Sequence, residues 1–274
     1  MKTTHYLIFA FLFLLASCSG AEQQPTARHI IVIGVDGMSP DGVRKADTPH
    51  MDEMMEKGAW TLSARGVLPS SSSPNWASMI MGAGPEQHGI TSNSWREDQH
   101  VLPTMVSGSA AFFPTIFRIA EDQKPDLEVG IVYHWTGFNN LFDRSVPDYE
   151  ITGDSEDETT QLAIDYFNKA YPHFLFVHLD HVDAAGHGQG HGSPAYYRSV
   201  TKADSLIGLI KEAVKQSGMM DDTVIMVTSD HGGVGYGHGG ETPAETETPW
   251  LIISQGITTH PPIAATANTY QTPA

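Results

Sequence analysis

The sequence contains a single cysteine, Cys18, in 274 residues. That alone excludes a disulfide framework and a cysteine-built zinc site. Basic residues are also scarce: 15 Lys and Arg stand against 32 Asp and Glu, a formal charge of -17. Neutralising a nucleic-acid backbone takes clustered Lys and Arg, and no such cluster exists, so duplex binding is not expected. No apolar run is long enough to span a bilayer. The longest covers only Tyr6 to Ala16, whereas a spanning helix needs about 20 residues. What remains is 40% hydrophobic and 17% charged, enough for a sizeable core. The acidic surplus suits a globular protein that commits carboxylates to cations.

Lys2 followed by that short apolar run has the form of a signal sequence. It ends in Leu15-Ala16-Ser17-Cys18, which resembles the lipobox of bacterial lipoproteins. Residues 1–18 are therefore expected to be a lipoprotein signal, cleaved ahead of an acylated Cys18. This places the protein in the bacterial cell envelope, attached to a membrane by its lipid anchor only. A plain secretory signal with a leftover thiol is the alternative. Residues 19–27 read as a polar tether. With no internal repeat or low-complexity linker, residues 28–274 read as one domain. The last residues, Asn268 to Ala274, resemble the entry to a further helix, so a C-terminal truncation is expected.

From Arg28 onward, apolar runs alternate with helical stretches. The runs His29–Val35, Val129–His134, Phe174–Leu179, Thr223–Thr228 and Trp250–Ser254 are near-continuous, as in strands covered on both faces. Helices are expected near Pro49–Lys57, Asn75–Met81, Thr159–Ala170 and Pro194–Gln216. The last has Ser193 as N-cap, Pro194 at its first position and Gly218 past its end. The pattern predicts an α/β fold, three layers with helices on both faces of a mostly parallel sheet.

In such sheets ligands gather beyond the carboxyl ends of the strands. Three strand ends here deliver carboxylates and imidazoles: Asp36; then Asp180, His181, Asp183 and His187; then Asp230 and His231, with His238 shortly after. A lone Asp before Gly is usually a turn or cap, but three clusters on one edge point to a metal site. Carboxylate and imidazole without thiolate suit Zn²⁺ better than Mn²⁺ or Fe. Six of these, Asp36, Asp183, His187, Asp230, His231 and His238, are too many ligands for one tetrahedral ion and suit a pair. Two metals about 4 Å apart can hold the attacking and leaving oxygens of a phosphoryl displacement. A serine run, Ser70 to Ser73, precedes Pro74 and opens the helix near Asn75. Such a run is usually a loop or a cap. Here the helix N-terminus favours an anion, and a hydroxyl there is a candidate nucleophile.

These residues together resemble the alkaline phosphatase superfamily, and within it the type I phosphodiesterase/nucleotide pyrophosphatase branch, over nearly all of 29–256. Pro69 to Asn75 is similar to that branch's Pro-Thr-Lys-Thr-Phe-Pro-Asn segment, which implies Ser72 as nucleophile. Gly84-Pro85-Glu86-Gln87-His88-Gly89-Ile90 is similar to its Tyr-Pro-Glu-Ser-His-Gly-Ile segment, which leads to a phosphoryl-binding Asn. The family places that Asn 21 residues after the nucleophile, and 93 − 72 = 21 here. The resemblance implies one metal held by Asp36, Ser72, Asp230 and His231, and another by Asp183, His187 and His238. Tyr133 to Gly137 resembles a Trp-Pro-Gly substrate-side segment more loosely. The implied activity is two-metal hydrolysis of a small phosphate ester, of phosphodiester or nucleotide pyrophosphate type, through a phosphoseryl intermediate. Asn93 and a backbone N–H near Ser73 would bind a nonbridging oxygen.

The departures are specific. Ser72 replaces the branch's Thr, and Ser73 stands where nucleotide-cleaving members carry a base-stacking Phe. His238 follows His231 by seven positions, where longer relatives carry an insert. His181 and His191 are spare imidazoles, expected behind the ligands or in solvent, and Asp180 is read likewise. A sulfatase would need Arg where Trp76 stands. A phosphomonoesterase, a phosphonate hydrolase or a phosphoethanolamine transferase would use nearly the same ligands. An exported phosphoglycerate mutase is not expected. A non-catalytic ligand-binding surface lipoprotein would be expected to have lost some of the seven positions.

Overall fold

The computed structural model describes residues 27–99, 101–106 and 112–255. The signal, all but the last residue of the tether, and the C-terminal segment lie outside them. Seven strands form one sheet: β1 (His29–Val35), β2 (Ala59–Arg65), β3 (Val129–Tyr133), β4 (Tyr149–Thr152), β5 (Phe174–Leu179), β6 (Thr223–Thr228) and β7 (Glu247–Ile253). Their order is β2-β7-β6-β1-β5-β3-β4. The five strands from β6 to β4 run parallel, while β7 is antiparallel to both β6 and β2. Central strands alternate between two cores. Ile31, Ile33, Val35, Val177 and Val227 face one; Val32, Ile131, Phe176 and Met226 face the other. That double coverage is why their sequences read as unbroken apolar runs.

The first core is closed by α1 (Pro40–Lys45), α2 (Pro49–Lys57), α6 (Glu156–Ala170) and α8 (Pro194–Gln216); the second by α3 (Ser72–Met81) and α5 (Ile116–Gln123). This is a three-layer αβα architecture. In α8, Ser193 accepts from the Tyr196 N–H, and Tyr196, Val200, Ala203, Ile207, Ile210 and Val214 recur at three- and four-residue spacing on the buried face. The sequence expectation does not include α1 or α5, and the structure differs from it in other features as well. The strands β2 and β4 are additional, and both lie at sheet edges. Helix α3 starts at Ser72 rather than Asn75, with Ser71 at the N-cap. The segment after β5 is a helix, α7 (His181–Gln189), despite two glycines. Two further short helices, α4 (Pro85–His88) and α9 (Pro243–Thr246), lie in loops.

Candidate metal centre and nucleophile

Strand β1 is the point where strand order reverses, with β5 on one side and β6 on the other. Its carboxyl end opens the crevice where doubly covered sheets bind ligands. Asp36 leaves β1, Asp230 and His231 follow β6, and α7 follows β5. On α7, Asp183 and His187 are one turn apart and so share a face. Gly37 permits the approach. Its φ is +69°, and a Cβ there would lie 2.8 Å from Asp183.

The side chains gather into two adjoining sets. His231 Nε2 lies 3.3 Å from Asp36 Oδ1 and 3.3 Å from Asp230 Oδ2. Ser72 Oγ, in the first turn of α3, is 3.2 Å from the same nitrogen. In the second set, His187 Nε2 is 3.2 Å from Asp183 Oδ2 and 3.2 Å from His238 Nε2. All seven residues assigned to metal from the sequence thus lie in one cluster, in which Asp36, Asp230 and His231, and again Asp183, His231 and His238, bring ligand atoms close enough to share a cation.

The donor chemistry fits cations. His231, His187 and His238 each donate Nδ1–H to a carbonyl, of Gly232, Tyr236 and Ser70 respectively. A carbonyl only accepts, so each Nε2 is left as a lone pair, the form that ligates metal. Two such lone pairs facing each other, as in His187 and His238, call for a positive charge between them. Asp36 Oδ1, Asp183 Oδ1 and Asp230 Oδ2 are buried with no hydrogen-bond partner. Burial lifts all three carboxyls above the usual range, and each is raised further by a neighbouring carboxylate: Asp36 by Asp230, Asp230 by Asp183, and Asp183 by Asp36. Burial pushes His238 down to about 4. Three carboxylates so placed ionise together only with cations among them.

Several contributors lack a sequence signal of their own. Trp76 donates Nε1–H to Asp36 Oδ2 at 2.9 Å, and His178 Nε2 approaches the same oxygen at 3.1 Å. Both side chains are fully buried. Gly37 N–H donates to Asp230 Oδ1. Ser70 accepts from the Gly239 N–H and donates to the Gly240 carbonyl, pinning the His238 loop. Asp180 completes a carboxylate group with Asp36 and Asp183. His181 and His191 are buried rather than solvent-exposed, with both ring nitrogens of each unpaired. The Ser73 N–H is not free for a substrate oxygen, because it donates to Asn93 Oδ1 at 2.8 Å. An unpaired N–H at a helix start takes the nearest acceptor, and this pairing engages the Asn93 amide through its oxygen, so its NH₂ is the end that donates.

Residues 30–239 match the family model for type I phosphodiesterase/nucleotide pyrophosphatase. Among curated proteins, the chain is 24% identical to mouse (Mus musculus) ectonucleotide pyrophosphatase/phosphodiesterase family member 1 over 196 residues, 67% of the chain and 21% of the relative. It is 23% identical to the human family member 5, covering 84% of the chain and 50% of the relative. It is 25% identical to mouse bis(5'-adenosyl)-triphosphatase, covering 81% and 51%. The chain therefore spans between a fifth and about half of these relatives. Among solved structures, murine family member 5, an inactive variant in complex with AMP, superposes with a TM-score of 0.62 at 22% identity, covering 75% of the chain and 57% of that structure. A 2-O glycosaminoglycan sulfatase superposes at 0.72 with 13% identity, covering 89% and 68%. At these identities the structural likeness speaks for the fold.

Proposed function

Because the chain belongs to the type I phosphodiesterase/nucleotide pyrophosphatase family, we propose that it hydrolyses small phosphate esters at this centre, with Ser72 as nucleophile and two divalent cations, most naturally Zn²⁺. The observation that carries the reading is the placement of Ser72. Its hydroxyl stands at the start of α3, 3.2 Å from His231 Nε2, the same nitrogen that lies 3.3 Å from Asp36 Oδ1 and from Asp230 Oδ2. Asp36, Ser72, Asp230 and His231 would hold one cation, and Asp183, His187 and His238 the other. Cations bound there supply the charge that lowers the Ser72 hydroxyl pKa and offsets charge on the displaced oxygen.

Ser72 Oγ, its proton lost to solvent, bonds to phosphorus as the bond to the leaving oxygen breaks. That oxygen takes a proton from water. A water then cleaves the Ser72 ester, returning the hydroxyl and releasing phosphate or a monoester. The Asn93 amide hydrogens bind a nonbridging oxygen throughout, and the α3 N-terminus favours its charge. A diester substrate is the better fit. A dianionic monoester calls for a bidentate guanidinium, and Arg96, three residues from Asn93, directs Nη1 to the Asn93 and Trp95 carbonyls. The lipobox at Cys18 supports export and lipid anchoring to the cell envelope. The test is a panel of nitrophenyl phosphate mono- and diesters with metal analysis of the same sample. Diester turnover with about two zinc per chain, lost on chelation and restored by zinc, is expected. Zinc-loaded protein that cleaves no ester would favour the ligand-binding reading.

A further inference from the structure

His191 sits in the turn between α7 and α8, and nothing in the proposed chemistry uses it. Its side chain is only 4% exposed. Its ring lies between two backbone segments of the metal centre, next to Gly186 of α7 and Gly233 of the loop after β6. A Cβ at Gly186 would lie 2.4 Å from the ring, and one at Gly233 2.3 Å. The main chain is fixed as well, since His191 N–H donates to the Gly235 carbonyl at 2.7 Å. A slot has been cleared for an imidazole, yet neither ring nitrogen has a partner. Buried polar groups of this kind are rare without a role. The facing oxygen has no hydrogen bond either: buried Asp183 Oδ1 lies 3.9 Å from His191 Nε2 and 3.8 Å from His238 Nε2.

We propose that His191 is a positioning residue for the metal ligand Asp183, donating Nε2–H to Oδ1 once a cation is held. An imidazole always carries at least one N–H, whereas the carboxylate only accepts. Tying down Oδ1 leaves Oδ2, 3.2 Å from His187 Nε2, for the cation that Asp183 and His187 share. Ligating carboxylates commonly need such an outer partner, and losing it costs about ten- to a hundredfold in metal affinity. This rests on the two-cation reading above.

The test follows zinc release from the zinc-loaded full chain into excess chelator, with a metal-free melting curve for each variant. His191→Leu should speed release of one of the two ions by about ten- to a hundredfold, with a metal-free melt close to wild type. His191→Gln keeps an N–H donor at similar reach and should restore most of the retention. Gly233→Ala, whose methyl invades the slot, should behave like His191→Leu. Wild-type retention in His191→Leu overturns the proposal. So does equal loss in His191→Leu and His191→Gln, which would make the imidazole a direct ligand or mere packing. If His191→Leu does not fold, Gly233→Ala and His191→Gln decide in the same way. Wild-type protein that takes up no zinc would overturn the two-cation reading instead.

Discussion

Replacing Trp76 by Phe separates packing from ligand support at Asp36. The Trp76 ring is fully buried against Phe138, Phe176 and His178, and its Nε1–H donates to Asp36 Oδ2 at 2.9 Å. Trimming it to Phe leaves a void of about 40 Å³, worth about 1 kcal/mol at roughly 24 cal/mol per Å³. The hydrogen bond differs between states. With cations bound, Asp36 is a carboxylate, and a bond to a charged group is worth about 1.5–3 kcal/mol. Without them, burial and then Asp230 hold the Asp36 pKa well above the usual range. A bond to the neutral acid is worth about 1 kcal/mol. Trp76→Phe should therefore cost about 2 kcal/mol in metal-free protein and about 3–4 kcal/mol with zinc, the difference appearing as weaker zinc binding by about tenfold. Urea unfolding of both proteins, with and without saturating zinc, measures all four terms of the cycle. An equal loss in both states would show that Trp76 acts through packing alone, and the ligand-support reasoning would fail.

Ser72→Ala should lower turnover of the best substrate by at least about a thousandfold while nearly all the zinc is retained; wild-type turnover would shift the attack from serine to water. Wild-type enzyme quenched in acid during diester turnover should carry on Ser72 the phosphoryl group with its remaining ester substituent, read by peptide mass. In metal-free protein, Asp36, Asp183 and Asp230 have raised folded pKa values, chiefly from burial, so they stabilise the fold in acid and lose that contribution as pH rises through those values. His238 runs the other way: its folded value of about 4 lies below the unfolded value near 6.5, so its contribution is present above about 6.5 and lost as pH falls through about 4. Cations need the carboxylates ionised, so the rise in Tm on adding zinc should grow as pH rises from acid towards neutral; a pH-independent rise would refute this. Cys18→Ser should release soluble, active protein into the extracytoplasmic fraction, and unchanged membrane fractionation would remove the lipid anchor.

The parts of the fold legible in the sequence are those governed by burial on both faces. β1, β5 and β6 could be bounded from apolar runs because neither side of them meets water. Edge strands carry no such signal. β4 spans only Tyr149–Thr152 and lies half-buried at the sheet margin, and β2 mixes Thr61 and Ser63 with its apolar residues. α8 announced itself through Ser193, Pro194 and Gly218, whereas α7 has Gly186 and Gly188 within it and low intrinsic helicity. The candidate ligand positions were readable because Asp and His at strand ends are chemically conspicuous. Their supports were not. Trp76 and His178 look like core residues by type, and only the fold brings them to Asp36.

The same point decides between branches that share this architecture. Sulfatases have the three-layer fold too, so the fold alone does not assign chemistry. A sulfatase-type segment requires Arg at position 76, four residues after the modified side chain. In this chain, four residues along α3 from Ser72 is one helical turn, and the residue there points into the core. Trp76 meets Phe138, Phe176 and His178 edge-on and reaches Asp36 through its single N–H. A guanidinium in that slot would bury its remaining donors among aromatic rings, at the cost of an unpaired charge. α3 therefore does two things at once: its first turn presents Ser72, the proposed nucleophile, and its second braces Asp36, a proposed ligand of the same centre. That coupling ties the identity of residue 76 to the geometry around Ser72, and it is a phosphate-ester centre rather than a sulfatase one that the pairing of Ser72 with Trp76 supports.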